Sequence, residues 1–230
     1  MTRRNTIVIL QPSYLPWRGY FDLIRRSDTF IFYDDVQYDR GGWRNRNQIK
    51  TPSGLKWLTI PVHSKGHISE GVLLRDVAID ARTPWRRKHL DSIRHAYARA
   101  PHFKATHAFL ENILEIDTPL LADLTIATTT EIARHIGLRT QFMRSSQFGL
   151  GGNKTQRLVD LLKELGADRY LSGASAKSYI DESMFAQAGI ELEYATYDYP
   201  VYHQFHGPFT QHVSIVDALM MLGPQGIFQS

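Results

Sequence analysis

The chain has 230 residues, 43% of them hydrophobic and 22% charged, which is enough apolar material for a full core and argues against disorder. It has no cysteine. That excludes disulfides, thiol catalysis and cysteine-ligated zinc; no apolar run approaches the roughly 20 residues a membrane span requires. The net charge of +4 and pI near 9.3 suit anionic small ligands, RNA or a membrane surface, and choose none of them.

In chain order, TIVIL (6–10) is a short β-branched run, so a buried strand is expected. It runs straight into Gln-Pro and is too short for the core of a secretory signal, so a cytoplasmic protein is expected. Apolar residues at Tyr20, Leu23 and Ile24 have helical spacing, and TFIFY (29–33) is strand-like again. Strand, helix and strand within thirty residues read as a right-handed βαβ unit. NQIK and KWLTIPV flank the turn TPSG and predict a hairpin. VLLRDVAID (72–80) predicts a further strand. Three helices follow: from Thr83-Pro84 to about Arg99, from about Ala105 to Glu115, and from Thr118-Pro119 to Ile136 with Gly137 as its stop. The last third alternates: strand TQFMRSS, helix KTQRLVDLLKEL ended by Gly166, strand RYLSG, helix DESMFAQAG capped by Asp181, strand IELEYATYD, then helix SIVDALMML with Gly223 and Pro224 beyond. The pattern predicts one α/β domain over residues 1–230. Its sheet is Rossmann-like and mostly parallel, with a β-hairpin and a helical insertion at about 84–137.

Ligands of open α/β sheets bind beyond the carboxyl ends of the strands. That nominates five loops for one composite site. QPSYLPWRG follows the first strand; Gln11, Tyr14, Trp17 and Arg18 are candidate contacts to a ring and an anion, with Gly19 permitting close approach. DDVQYDRGGWRNRN (34–47) follows the second. Its Arg40, Arg44 and Arg46, with Asn47 beside them, match phosphate or carboxylate. Gly41 and Gly42 there can open backbone amides to an anion. Asp34 and Asp35, at a strand end, suit a general base or a Mg²⁺ ligand. GLGGNKTQ (149–156) has Asn153 and Phe148 where a Walker A loop needs glycine, so that motif fails. A glycine-rich loop still enters a helix at Lys154, and the alternative is Asn153 as a plain N-cap. YLSGASAKSY places Ser172, Gly173 and Lys177 after a strand, without the G-x-S-x-G elbow of a serine nucleophile. His203, in YHQFHGPF, is a candidate acid or base. The ten histidines lack metal-like spacing; His63 and His67 stand four apart, but in a loop with Gly66.

Taken together, QPSYLPWRGYFDLI, FIFYDDVQYDRGGWRNRNQIK, LTIPV, GADRYLSGASAKSYI and PVYHQFHGPFTQHVSIVDALMMLG resemble the WbqC-like family from about Ile7 to Gly223. The resemblance implies a setting in bacterial surface-polysaccharide and O-antigen gene clusters, with acyl or aminoacyl transfer onto an amino sugar. A fainter similarity in layout links W-R-G-Y (17–20) to the H-x-G-H of the nucleotidylyltransferase (HUP) superfamily. Gly19 matches, but Trp17 and Tyr20 stand where that motif has imidazoles. The leading expectation is a transferase acting on an amine of a nucleotide-linked sugar. Arg40, Arg44 and Arg46 would hold phosphate, Asp34, Asp35 or His203 would take the proton, and Lys154 would hold the donor. Charged tRNA, acyl-CoA, or an amino acid with ATP and Mg²⁺ are the candidate donors. The alternatives are a module binding nucleotide-sugar or RNA without chemistry, and a nucleotidylyltransferase-like enzyme with a rebuilt motif.

Overall fold

A computed structural model describes residues 4–63, 71–152, 154–197 and 200–229. Among them are seven strands and seven α-helices. In chain order these are β1 (Thr6–Leu10), α1 (Arg18–Arg25), β2 (Thr29–Phe32), β3 (Arg46–Thr51), β4 (Gly54–Thr59), α2 (Trp85–Tyr97), α3 (Phe103–Leu114), α4 (Leu121–His135), β5 (Gln141–Arg144), α5 (Lys154–Glu164), β6 (Arg169–Ser172), α6 (Glu182–Gln187), β7 (Glu191–Tyr194) and α7 (Ile215–Gly226). The fold is mixed α/β and Rossmann-like, with a five-stranded parallel sheet and a separate antiparallel hairpin. The chain gathers into two compact units, each assembled from separated stretches.

The first unit comprises Met1–Gln11, Asp22–Asp35 and Arg139–Asp198. Its sheet has the order β5-β2-β1-β6-β7, and every pairing is parallel. The central strands β1 and β2 are near-continuous apolar runs because the middle of a parallel sheet is buried on both faces; Ile7, Val8, Phe30, Ile31 and Phe32 are fully enclosed, while the edge strands β5 and β7 carry polar residues and are partly exposed. The connections run one way from β1 through β2 to β5 and the other way through β6 to β7, so the order reverses at β1 and β6. Helix α5 lays Leu158, Val159, Leu161 and Leu162 on a core shared with Ile7, Ile9 and Tyr170, and Tyr170 stacks on Phe185 of α6 at 5.5 Å. Gly166 has φ +60, and the chain turns there as Gly166 and Ala167 donate back to Lys163 and Leu162. Asp181 caps α6 by accepting from the Ser183 amide, as expected.

The second unit comprises Pro12–Phe21, Val36–Leu138 and Tyr199–Ser230. The hairpin pairs Arg46 with Thr59 through to Thr51 with Gly54. Helix α3 packs against α2, α4 and α7. Gly137, with φ +83, ends the helical hydrogen bonding after α4. Gly223 (φ +68) breaks α7 before Pro224, as the sequence suggested. Its missing side chain makes room for His102, whose ring would lie 2.7 Å from a β-carbon there. The expected strand at 72–80 does not form. Leu74–Asp76 is a 3₁₀ turn, and the flanks make only isolated bridges, Gln37 to Leu73, Val62 to Ile79 and Ala78 to Leu120. Leu74 and Val77 are buried at i and i+3, a spacing that serves a turn and that alternation along a strand cannot provide. Among the described residues no helix is long and apolar enough to cross a membrane.

Candidate functional site

In the first unit the carboxyl ends of the strands bring together Gln11 after β1, Tyr33 to Asp35 after β2, Ser145 and Ser146 after β5, Ser172 at the end of β6 with Gly173 beyond it, and Tyr194 at the end of β7. Asp34 is wholly buried. It accepts from the hydroxyl of Ser145 at 3.2 Å, the amide of Ser146 at 3.1 Å and the hydroxyl of Ser146 at 2.9 Å, and Arg144 stands 3.9 Å away. The Asp34 amide meets the Ser145 oxygen at 3.2 Å. Asp34 therefore ties the end of β2 to the turn after β5. A buried carboxylate persists when its lone pairs are satisfied in this way.

Asp35 accepts from Ser145 and forms an ion pair with Arg157 of α5. Arg157 also donates to the Asp35 carbonyl at 3.2 Å, and its guanidinium lies 5.0 Å from the Tyr33 ring centre. Tyr33 belongs with Tyr170, Tyr179 and Tyr194 to a group of hydroxyls that feel one another electrostatically. Burial raises the Tyr33 and Tyr170 hydroxyls above the ordinary phenol range. Tyr194 is pushed up to about 12 by burial and by its bond to Glu182 at 2.9 Å. At neutral pH all three are hydrogen-bond donors, not bases. Ser172 is buried and bonds to the Tyr170 hydroxyl at 3.4 Å. The Lys177 ammonium lies 5.9 Å from the Tyr194 ring centre. The Tyr197 hydroxyl would be 3.5 Å from a β-carbon at Gly173. Lys154 opens α5 and is exposed, behind glycines with φ +60 at Gly149 and +102 at Gly152. Asn153, considered as an N-cap, lies outside the described residues. The site is thus a rim of tyrosine hydroxyls and rings with Arg157 and Lys177 against them. Rings and cations in this setting suit a planar or cyclic ligand with an anionic group.

The remaining nominated residues belong to the second unit. Asn47 is consumed in holding backbone. Its amide donates to the carbonyls of Tyr14 at 3.2 Å and Leu15 at 2.9 Å, and its oxygen accepts from the Gln48 amide. Leu15 has φ +40, a left-handed conformation costly for a branched residue, and the Ser214 hydroxyl also donates to its carbonyl at 2.7 Å. Tyr14 is buried and bonds to His89 Nδ1 at 2.9 Å. Arg18 is buried and donates to the Pro200 carbonyl at 3.0 Å, with its guanidinium 5.8 Å from the Tyr202 ring centre. The Trp17 indole covers Gly19, where a β-carbon would sit 2.3 Å from the ring. Arg44 donates to Ser13 at 2.8 Å. Arg46 bonds to the Gly41 carbonyl and stacks on Trp57 at 4.3 Å, while Arg40 is exposed. The Gly42 amide donates to Asp39 at 3.1 Å, so this loop supplies its own anion. His203 is exposed. His67 lies outside the described residues, among which no group of three or more potential ligands could hold a metal ion.

The second unit also contains a buried polar network that sequence reading missed. Asp217, wholly enclosed in the first turn of α7, accepts from the hydroxyls of Tyr97 at 2.8 Å and Tyr202 at 2.7 Å. Lys50 donates to Gln204 and to the carbonyls of Gly207 and Pro208. Burial raises Asp217 and lowers Lys50 from their ordinary ranges. A lone aspartate within the apolar run IVDALMML was the available signal.

The Rossmann-like sheet, the covered Gly19 and the carboxylate–serine turn define an α/β protein that lacks the paired imidazoles of a nucleotidylyltransferase. The chain belongs to the WbqC-like protein family, whose profile matches residues 11–228. It is 39% identical over 221 residues to the uncharacterized protein Rv1507c of Mycobacterium tuberculosis (strain ATCC 25618 / H37Rv), covering 95% of this chain and 94% of that one. No solved structure matches the chain significantly.

Proposed function

We propose that the protein is a cytoplasmic transferase that places a small acyl or aminoacyl group on the amine of a nucleotide-linked amino sugar, for bacterial surface polysaccharide such as O-antigen. The observation that carries this reading is the rim of Tyr33 and Tyr194 with Arg157 and Lys177 at the carboxyl edge of the parallel sheet, beside the reversal of strand order and over the enclosed Tyr170. Folds of this kind hold nucleotides at such a reversal. In this reading the hydroxyls of Tyr33 and Tyr194 bind the sugar, Lys177 and Lys154 meet phosphate, and Gly173 admits the ligand close to backbone. Asp35, at the rim and fixed by Arg157 and Ser145, is the proton acceptor, while enclosed Asp34 holds the turn that carries Ser145. Arg18 and Arg44 are assigned to holding the second unit together, through Pro200 and Ser13, and His203 and Arg40 to that unit's own surface.

The reaction balances simply. The amine nitrogen attacks the donor's acyl carbon and a C–N bond forms. The donor's C–O or C–S bond breaks with the electron pair leaving on oxygen or sulfur, and the amine proton passes to Asp35; with a free amino acid, its carboxylate first displaces pyrophosphate from ATP, and AMP is then the oxygen leaving group. Purified protein with a dTDP-linked amino sugar, tested with charged tRNA, acyl-CoA, or amino acid plus ATP and Mg²⁺, should yield an amide detectable by mass spectrometry with one of them. Binding of the sugar nucleotide without product from any donor would assign the protein to ligand binding alone.

A further inference from the structure

Within the second unit a basic and aromatic track runs along the hairpin and α2. Three cavities adjoin. One of about 330 Å³ has Arg40 and Arg46 on its wall. It shares Thr59 with one of about 1040 Å³ between β4 and α2, lined by Trp57, Lys56 and Lys88. That in turn shares Pro52, His95 and Ala96 with a third of about 430 Å³ bearing Arg99 and Phe205. Trp57 and Trp43 are 40% and 44% exposed although their rings lie 5.1 Å apart, and the Arg46 guanidinium rests on Trp57. Large exposed indoles beside an arginine plane form a stacking surface that a folded core leaves unused.

The charge is concentrated here. Residues 38–63 and 84–99 contain ten arginines and lysines against two aspartates, a surplus larger than the net +4 of the whole chain; of the ten, Arg40, Arg46, Lys56, Lys88 and Arg99 line the three cavities, while Lys50 is enclosed against Gln204 and Arg86 is held by the carbonyls of Leu114 and Ile116. The rest of the molecule is therefore net acidic. Both aspartates are already engaged, Asp39 with the Gly42 amide and Asp91 with Arg87 and Arg94. Among the described residues no carboxylate pairs with Lys56 or Lys88.

We infer that this track binds single-stranded RNA, with unpaired bases stacking on Trp57 and Trp43 and phosphates following Arg40, Lys56, Lys88 and Arg99. Stacking platforms set in a cationic groove are how proteins hold single strands without reading sequence. The free edge of β4 could also attract a second copy of the chain. However, Lys56 stands in the middle of that strand, and two-fold antiparallel pairing would bring it near its own counterpart, which disfavours association. This inference stands apart from the transferase reading and is tested without turnover.

The probe is a fluorescein-labelled single-stranded RNA of about 12 nucleotides, with fluorescence anisotropy as the readout. If about four phosphates are neutralised, Kd rises about 50-fold between about 50 and 200 mM salt. Trp57→Ala weakens binding about tenfold while Trp57→Phe keeps most of it. Lys56→Glu with Lys88→Glu flattens the salt dependence, and Lys104→Glu, on α3, leaves it unchanged. A duplex of the same length binds more weakly, because its bases are already stacked. Thermal unfolding of each variant identifies any loss caused by misfolding. Equal affinity for duplex and single strand, no binding at low salt, or binding indifferent to Trp57→Ala and the double charge reversal overturns the inference. So does a concentration-dependent dimer that Trp57→Ala abolishes, which assigns the surface to a second copy.

Discussion

Replacing Asp34 separates a structural carboxylate from a catalytic one. Asp34→Ala removes the acceptor for three donors, the Ser145 hydroxyl, the Ser146 amide and the Ser146 hydroxyl. Ser145 retains Asp35, so its loss is partial. The Ser146 amide and hydroxyl lose theirs inside a part-buried turn. An orphaned buried donor costs about 1–3 kcal/mol, and hydrogen bonds to a charged group contribute more than neutral ones, so the substitution should cost about 3–5 kcal/mol. Asp34→Asn keeps one acceptor oxygen and should cost about half as much. In urea titrations, with a slope of about 3 kcal/mol/M, the Ala variant's midpoint falls by more than about 1 M at unchanged slope. A double-mutant cycle with Ser146→Ala should return a coupling of about 1–2 kcal/mol. If Asp34→Ala unfolds within about 1 kcal/mol of the parent and the cycle shows no coupling, the staple does not exist and Asp34 is free for chemistry.

Asp35→Asn should abolish amide formation while the sugar nucleotide still raises the melting temperature; loss of both refutes its role as proton acceptor. Lys177→Glu should raise the Kd for the nucleotide-linked sugar about tenfold by calorimetry, since it places like charge beside phosphate. His89 is buried against Tyr14, and burial lowers its pKa from 6.5 to about 4. Its contribution is complete above about pH 6.5 and is lost as pH falls towards 4, amounting to about 3 kcal/mol; His89→Gln should remove that part of the slope, and an unchanged profile sinks the assignment. Gly19→Ala drives a methyl into the Trp17 ring and should cost about 1–3 kcal/mol with altered indole fluorescence; unchanged emission and stability would show that the ring lies elsewhere.

Much of the parallel sheet was legible because its central strands TIVIL and TFIF are short, apolar and β-branched, because strands and helices alternate through the last third, and because glycines at 137 and 166 mark the ends of helices. The segment 72–80 misled because Val72, Leu73, Leu74, Val77, Ala78 and Ile79 are all apolar, and the sequence does not show that Leu74, Val77 and Ile79 are the ones enclosed. Of the site, the carboxylates at the end of β2 were visible, but their partners were not. Ser145 and Ser146 lie more than a hundred residues away, and no local pattern pairs them with Asp34. Arg157 reads as one more solvated position on an amphipathic helix, although it anchors Asp35. Tyr33, Tyr170 and Tyr194 each look like ordinary strand residues, and only the order β2-β1-β6-β7 makes them neighbours. Asn47 looked like an anion contact because it sits among arginines, yet the carbonyls of Tyr14 and Leu15 claim its amide nitrogen and the Gln48 amide claims its oxygen.

The two units are interleaved in the sequence, which bears on how the chain is made. The first unit's β1 and β2 lie within the first 35 residues, but β5, β6 and β7 begin only after residue 140. The loop at Leu15 waits longer still, since its clamp includes Ser214. A nascent chain emerging from the ribosome therefore carries β1 and β2 with only each other as partners, and a strained turn without its full clamp, for most of its synthesis. Completion of both units falls after most of the chain is out, and the intervening time favours holding chaperones. A chain truncated near residue 200 should accumulate as aggregate instead of as a smaller folded protein.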